Sequence, residues 1–342
     1  MTLETSPTAP RRSAGHSPLR RPGSIRRTSS LETAWPDGRE GNMQMTGRAR
    51  DAVTPVGGGA PIICGLDEFR AELRWDRTIV AIRATPDRAG VARLVGARGG
   101  GHLRSALDEL LPDERRSATP LHLILDDISG ASLVAGWAWS RWSEDWRRSM
   151  AAEAVADNAA PQRRPMEGVC TGFRPGSSAL SLDGSVASHQ NSAVVVDLPH
   201  PDDPDGWHAL TIQEGVGMRR ARQIDIWVDG VIHIDSTFQD SATEPGGGRT
   251  AIHEYGLRAT ADPVTLELLS LVPDPRVLPF PECPSAVNNV SRMLGTPLGE
   301  LREKVLVELK GTAGCTHLND VLRSLAEAGA LVERLQATLA AA

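Results

Sequence analysis

Along the chain, short alternating stretches come first and helical spacing follows. From Ser24 a strand-like passage runs through Trp35 and closes on the turn signal Pro36-Asp37-Gly38. Further on, residues 219–228 and 231–240 flank Asp229-Gly230, a hairpin signal because both turn residues tolerate positive φ. Residues 250–260 and 264–273 flank Asp262-Pro263 as a second hairpin. The period then lengthens: Val287, Val290, Met293 and Leu294 keep one helical face, as do Leu298, Leu301, Val305 and Leu309 after Pro297. A last helix is predicted from about Thr316 through Leu318, Val321, Leu322, Leu325 and Leu331. Strands followed by helices predict an α+β layer arrangement.

The same wording occurs twice. Arg26-Arg27 and Glu32 are answered by Arg219-Arg220 and Asp225, Leu73-Arg74 by Leu257-Arg258, and Pro120-Leu121-His122-Leu123 by Cys315-Thr316-His317-Leu318. Ordered agreement of separate signals predicts two tandem related modules, residues 24–136 and 216–342, each a four-stranded antiparallel meander followed by helices. The first copy is looser, with glycine tracts at 57–59 and 99–101. Residues 137–215 form a connecting segment whose Trp137, Trp139, Trp142 and Trp146 suit a wedge between domains, since indoles bury large areas. Residues 1–23 hold little to bury and read as a disordered basic tail.

Composition narrows the function classes. The chain has 342 residues, 40% of them apolar, which is enough for a real core. Its 37 basic and 43 acidic residues leave a net charge of −6, so no global positive field exists to hold nucleic acid or an anionic membrane. No apolar run is long enough for a membrane helix. Four dispersed cysteines, Cys64, Cys170, Cys283 and Cys315, fit a reducing cytoplasm better than a secreted disulfide framework. The glycine signatures of nucleotide-binding folds, the hydrolase nucleophile elbow and the His-Glu-x-x-His zinc motif do not occur.

Candidate chemistry concentrates in the second module. Cys283 stands where a loop enters a helix, and Cys315 just before the last helix, where backbone N–H groups and the helix dipole favour a thiolate. His317 lies in that helix's first turn. Sulfur and imidazole there predict a zinc or iron site if Cys283, His253 or Asp320 comes near Cys315 and His317. Cys315 could equally be a nucleophile with His317 as base. The position matching Cys315 in the first module is Pro120, so a thiol site belongs to the second copy alone, whereas the histidine persists as His122 and His317. A third catalytic candidate is Asp225. A two-residue turn at Asp229-Gly230 sets it opposite Ile234, with a raised pKa unless Arg220 or Arg258 neutralises it, in which case the ion pair serves to fix strand register.

The stretches Ser24-Ile25-Arg26-Arg27-Thr28-Ser29-Ser30, Arg219 to Trp227, Pro279-Phe280-Pro281-Glu282-Cys283-Pro284 and Gly314-Cys315-Thr316-His317-Leu318-Asn319-Asp320 together resemble bacterial, actinobacterial-type proteins of domain-of-unknown-function family 2889. The resemblance covers most of residues 24–335 and assigns no catalytic role. From the residues themselves we expect an enzyme acting on a small organic molecule at a Cys/His/Asp site between the modules. The alternative is a non-catalytic metal-binding or protein-assembly module.

Overall fold

A computed structural model describes residues 12–143, 166–180 and 190–342. Trp146 and the polar stretch around residues 157–164 lie outside the described residues. The first meander comprises β1 (Ser24–Ala34), β2 (Met43–Thr54), β3 (Ile62–Leu73) and β4 (Ile79–Thr85). The short strand β5 (Ala193–Val195) precedes the second meander, β6 (Gly217–Asp229), β7 (Val231–Thr243), β8 (Arg249–Ala261) and β9 (Leu268–Pro275). All nine belong to one antiparallel sheet in the order β4-β3-β2-β1-β6-β7-β8-β5, with β9 also on β8.

The α+β class stands, but the expected modules are not two separate bodies. Their first strands, β1 and β6, pair with each other along most of their length. In that register Arg26 faces Asp225 and Glu32 faces Arg219, so the arginine of each matching stretch pairs with the acid of the other, giving reciprocal ion pairs across the seam.

Helices cover one face. α1 (Gly101–Leu110), α2 (Pro112–Arg116) and α3 (Pro120–Val134) follow the first meander, then α4 (Trp139–Trp142). α5 (Leu301–Glu308), α6 (Thr316–Ser324) and α7 (Ala328–Ala341) follow the second. Pro120 pre-sets the first helical φ of α3, and Thr119 caps it by accepting the His122 backbone N–H at 3.2 Å. Residues 283–293, expected as an α-helix, form a 3-10 stretch instead. None of the described helices is long and apolar enough to cross a membrane.

Two apolar cores flank a polar middle. One joins Ile25 and Val53 to the second meander, α6 and α7; the other joins Met218, Ala242 and Ile252 to the first meander and α3. Each core therefore borrows from the other half. Between them β1 and β6 are buried on both faces, yet their largest fully buried side chains are Arg26, Arg27, Arg220 and Arg222. Buried charges need partners, and those partners define the polar band from which the candidate site is built.

One other expectation changes. The part of the basic tail that is described is pinned: Arg20 pairs with Asp203, and Ser13 donates to Glu254 at 2.6 Å. An arginine-rich segment docks here because it meets carboxylates that the sequence left unassigned. Trp139 packs on Trp35, which stacks on Trp75, while Trp142 Nε1 donates to the Thr243 carbonyl at 3.0 Å. These indoles join strands from both meanders.

Candidate functional site

On the helix-covered face the sheet carries two parallel rows. Arg27 on β1 lies beside Asp51 on β2, and Asp51 beside Gly65 on β3. Arg220 on β6 lies beside Asp240 on β7, and Asp240 beside His253 on β8. The register shifts immediately after both aspartates. Arg27 holds Asp51 with two bonds of 2.6 Å, and Arg220 holds Asp240 with bonds of 2.9 and 3.0 Å.

The rows diverge beyond that shared pair. Asp51 also accepts from a second guanidinium, Arg334, and an added Cβ at Gly65 would lie only 3.2 Å from its Oδ2. Asp240 instead meets two imidazoles. His253 Nδ1 lies 3.2 Å and His317 Nε2 3.7 Å from Asp240 Oδ2. The rings are stacked, with centroids 3.4 Å apart. Among the described residues, Asp240, His253 and His317 form the group of ligand-type side chains whose donor atoms all lie within 4.8 Å of one another.

Electrostatics set the protonation of this group. Burial lowers the pKa of both histidines, and the charge of Arg220 lowers them further. Burial acts to raise Asp240, but Arg220 and the contact with His253 hold it well below the ordinary carboxylate range. The result is a carboxylate beside two neutral imidazoles, the protonation states in which these groups bind metals. His253 Nδ1 is buried and finds no well-aligned hydrogen-bond partner despite its closeness to Asp240.

The other sequence candidates fall around this group or away from it. Cys315 caps α6 with its sulfur 3.8 Å from His317 Nδ1, the nitrogen turned away from Asp240. Burial raises its pKa despite its place at a helix N-terminus, so the thiol form is favoured. Cys283 does not join the three-residue group. It neighbours Cys170, Cys315 and the hydroxyl of Tyr255, and burial raises the pKa of each. Asp320 accepts from Arg220 at 3.0 Å and from Arg104 at 3.2 Å.

Asp225 lies on the opposite face of the sheet. Gly230 alone, at φ +70°, turns the hairpin, so Asp225 faces Asp235 rather than Ile234. Its partner is Arg26, at 2.6 and 2.7 Å, not Arg220 or Arg258. Burial raises its pKa and Arg26 opposes the shift. The same register error concealed Asp240: pairing through a one-residue turn sets Arg220 beside Asp240, whereas the two-residue turn would set it beside Gln239. The paired arginine and aspartate at the ends of one predicted hairpin were the available signal.

A model of the family described as "Protein of unknown function (DUF2889)" matches residues 218–330, a span that contains Asp240, His253, Cys283, Cys315 and His317. No curated protein and no solved structure matches the chain.

Proposed function

We propose that the protein binds one divalent transition-metal ion, zinc or ferrous iron, through Asp240, His253 and His317. The observation that carries this reading is the contrast between two equivalent carboxylates. Asp51 is neutralised by two guanidiniums, whereas Asp240 has one guanidinium and two neutral nitrogen donors. An oxygen and two imidazoles suit zinc or iron rather than calcium or magnesium, which prefer oxygen alone. For both lone pairs to converge on one ion the stacked rings must turn about χ2, a broad torsion for imidazole. Asp240 is 0% and His253 7% exposed, an enclosure that favours an ion tying β7, β8 and α6 together. Cys315 would then act behind His317, orienting the ring through Nδ1, as groups behind metal ligands commonly do.

An enzyme acting on a small organic molecule is the second reading, favoured by the thiol of Cys315 lying 3.8 Å from an imidazole nitrogen. We also propose that the two meanders descend from one duplicated unit, a reading supported by the reciprocal seam and the repeated arginine–aspartate rows. Four free cysteines favour a reducing, cytoplasmic setting.

Elemental analysis of the full-length protein, followed by zinc and ferrous titration of the chelated form, tests the metal. We expect one equivalent per chain, and Asp240→Asn or His253→Gln should weaken uptake by about ten-fold or more. A folded wild-type protein that neither carries nor takes up stoichiometric metal overturns the assignment. If metal binds but Cys315→Ser and His317→Ala leave turnover of an identified substrate unchanged, the enzyme reading at this site fails.

A further inference from the structure

A second polar site lies in the helix layer, where the helices of the two halves meet. It is a cleft of about 60 Å³ between α1, α3, α5 and α6. Its walls include Arg104, His122, Asp126, Arg302 and Arg323, with Leu107 and Leu306 as apolar flanks. We propose that this cleft binds a small oxyanion, a carboxylate or a phosphate group, bridging the helices of the first and second halves.

The argument is a buried guanidinium donor left without an acceptor. Asp126 already accepts from three guanidiniums: Arg104 Nε at 3.1 Å, Arg302 Nη1 at 2.8 Å and Arg323 Nη2 at 2.9 Å. Outside Asp126, Arg104 and Arg323 share Asp320, and Arg302 reaches Glu327. Each guanidinium carries five N–H groups and no acceptor, and these carboxylates engage two nitrogens of each. Arg323 is 5% exposed, and its Nε is buried with no hydrogen-bond partner. A buried charged donor left unpaired costs free energy that an incoming acceptor recovers. His122 lines the same cleft, its Nδ1 held by Glu327 at 3.3 Å. Planar, bidentate guanidinium donors match carboxylate and phosphate oxygens.

This site shares no residue with the proposed metal group, so the two proposals stand or fall separately. The test titrates the intact protein with sodium acetate and with sodium phosphate at constant ionic strength, sodium chloride serving as control. Calorimetry and the unfolding midpoint are the readouts. Saturable binding of acetate, of phosphate or of both, with no saturable response to chloride, is expected, and the preferred anion identifies the ligand's head group. Arg323→Lys keeps the charge but removes Nε and should weaken binding about ten-fold. Arg104→Gln, at a more exposed position, should do the same and serves if Arg323→Lys does not fold. Absence of saturable binding by either anion overturns the proposal, as does undiminished binding to folded Arg104→Gln.

Discussion

Arg26 and Asp225 show at the scale of single residues what holds the middle of this sheet. Both are buried, and each is the other's bidentate partner. Removing one member of such a pair strands the other, so Arg26→Met should destabilise the protein by about 3–5 kcal/mol in denaturant titrations. The double variant Arg26→Met/Asp225→Leu should recover part of that loss, since two apolar side chains leave no charge behind. Recovery of nothing would mean that Arg26 acts mainly through its other bonds, to the Pro18 and Gly206 carbonyls.

His208 supplies a pH prediction at the same scale. Its nitrogens bond the Thr28 and Ser30 hydroxyls at 2.8 and 2.9 Å, and Glu32, Arg48, Arg50 and Arg219 surround it. Burial, aided by Arg50, Arg48 and Arg219, pushes its pKa down to about 3. The unfolded chain therefore binds a proton here below pH 6.5 that the folded chain refuses until about 3. Stability is accordingly highest above 6.5 and falls with acidification across that window, by up to about 1.4 kcal/mol per pH unit from this residue. Measured as the difference between wild type and His208→Gln, this slope should vanish in the variant. Glu327 behaves as an ordinary paired acid: it is held down to about 2, chiefly by Arg27 against the effect of burial, so its contribution is complete above pH 4.5 and lost towards 2.

Among the elements, α3 makes the sharpest demand on sequence. Gly130 faces the Arg220 guanidinium so closely that an added Cβ would sit 1.8 Å from Nη1 and 2.6 Å from Asp320 Oδ2. Gly130→Ala must displace either the helix or the arginine that holds Asp240, and a loss of about 1–3 kcal/mol is expected in chemical denaturation. Thr119→Ala, which removes the cap of the same helix, should cost about 1 kcal/mol. The comparison separates packing from capping, because only the glycine variant should also weaken the metal uptake proposed for Asp240. At this scale the sequence was legible in kind and unreliable by one residue. The strands flanking Asp229-Gly230 were evident, but turn chemistry did not say whether one or two residues occupy the bend. In a strand that single residue decides which face every side chain takes.

For the whole molecule, the crossing of the two cores has a thermodynamic consequence. Ile25 and Val53 pack with the second meander, and Met218, Ala242 and Ile252 with the first. Neither half can lose its structure without exposing apolar surface of the other, so calorimetry should show one cooperative unfolding transition. Two well-separated transitions would show that the seam between β1 and β6 contributes little.

Local pattern alone determined the α+β class and the order of strands before helices, and it drew attention to His253, Cys315 and His317. These depend on periodicity and on residue type, which are written in neighbouring positions. Only the tertiary structure decided that the meanders share one sheet, that Asp225 pairs with Arg26, and that Asp240 rather than Cys283 completes the histidine pair. Those outcomes depend on strand register and on packing between residues up to two hundred positions apart. Such contacts are selected by the need to neutralise buried charge, a condition of the folded interior that no short stretch of the chain expresses.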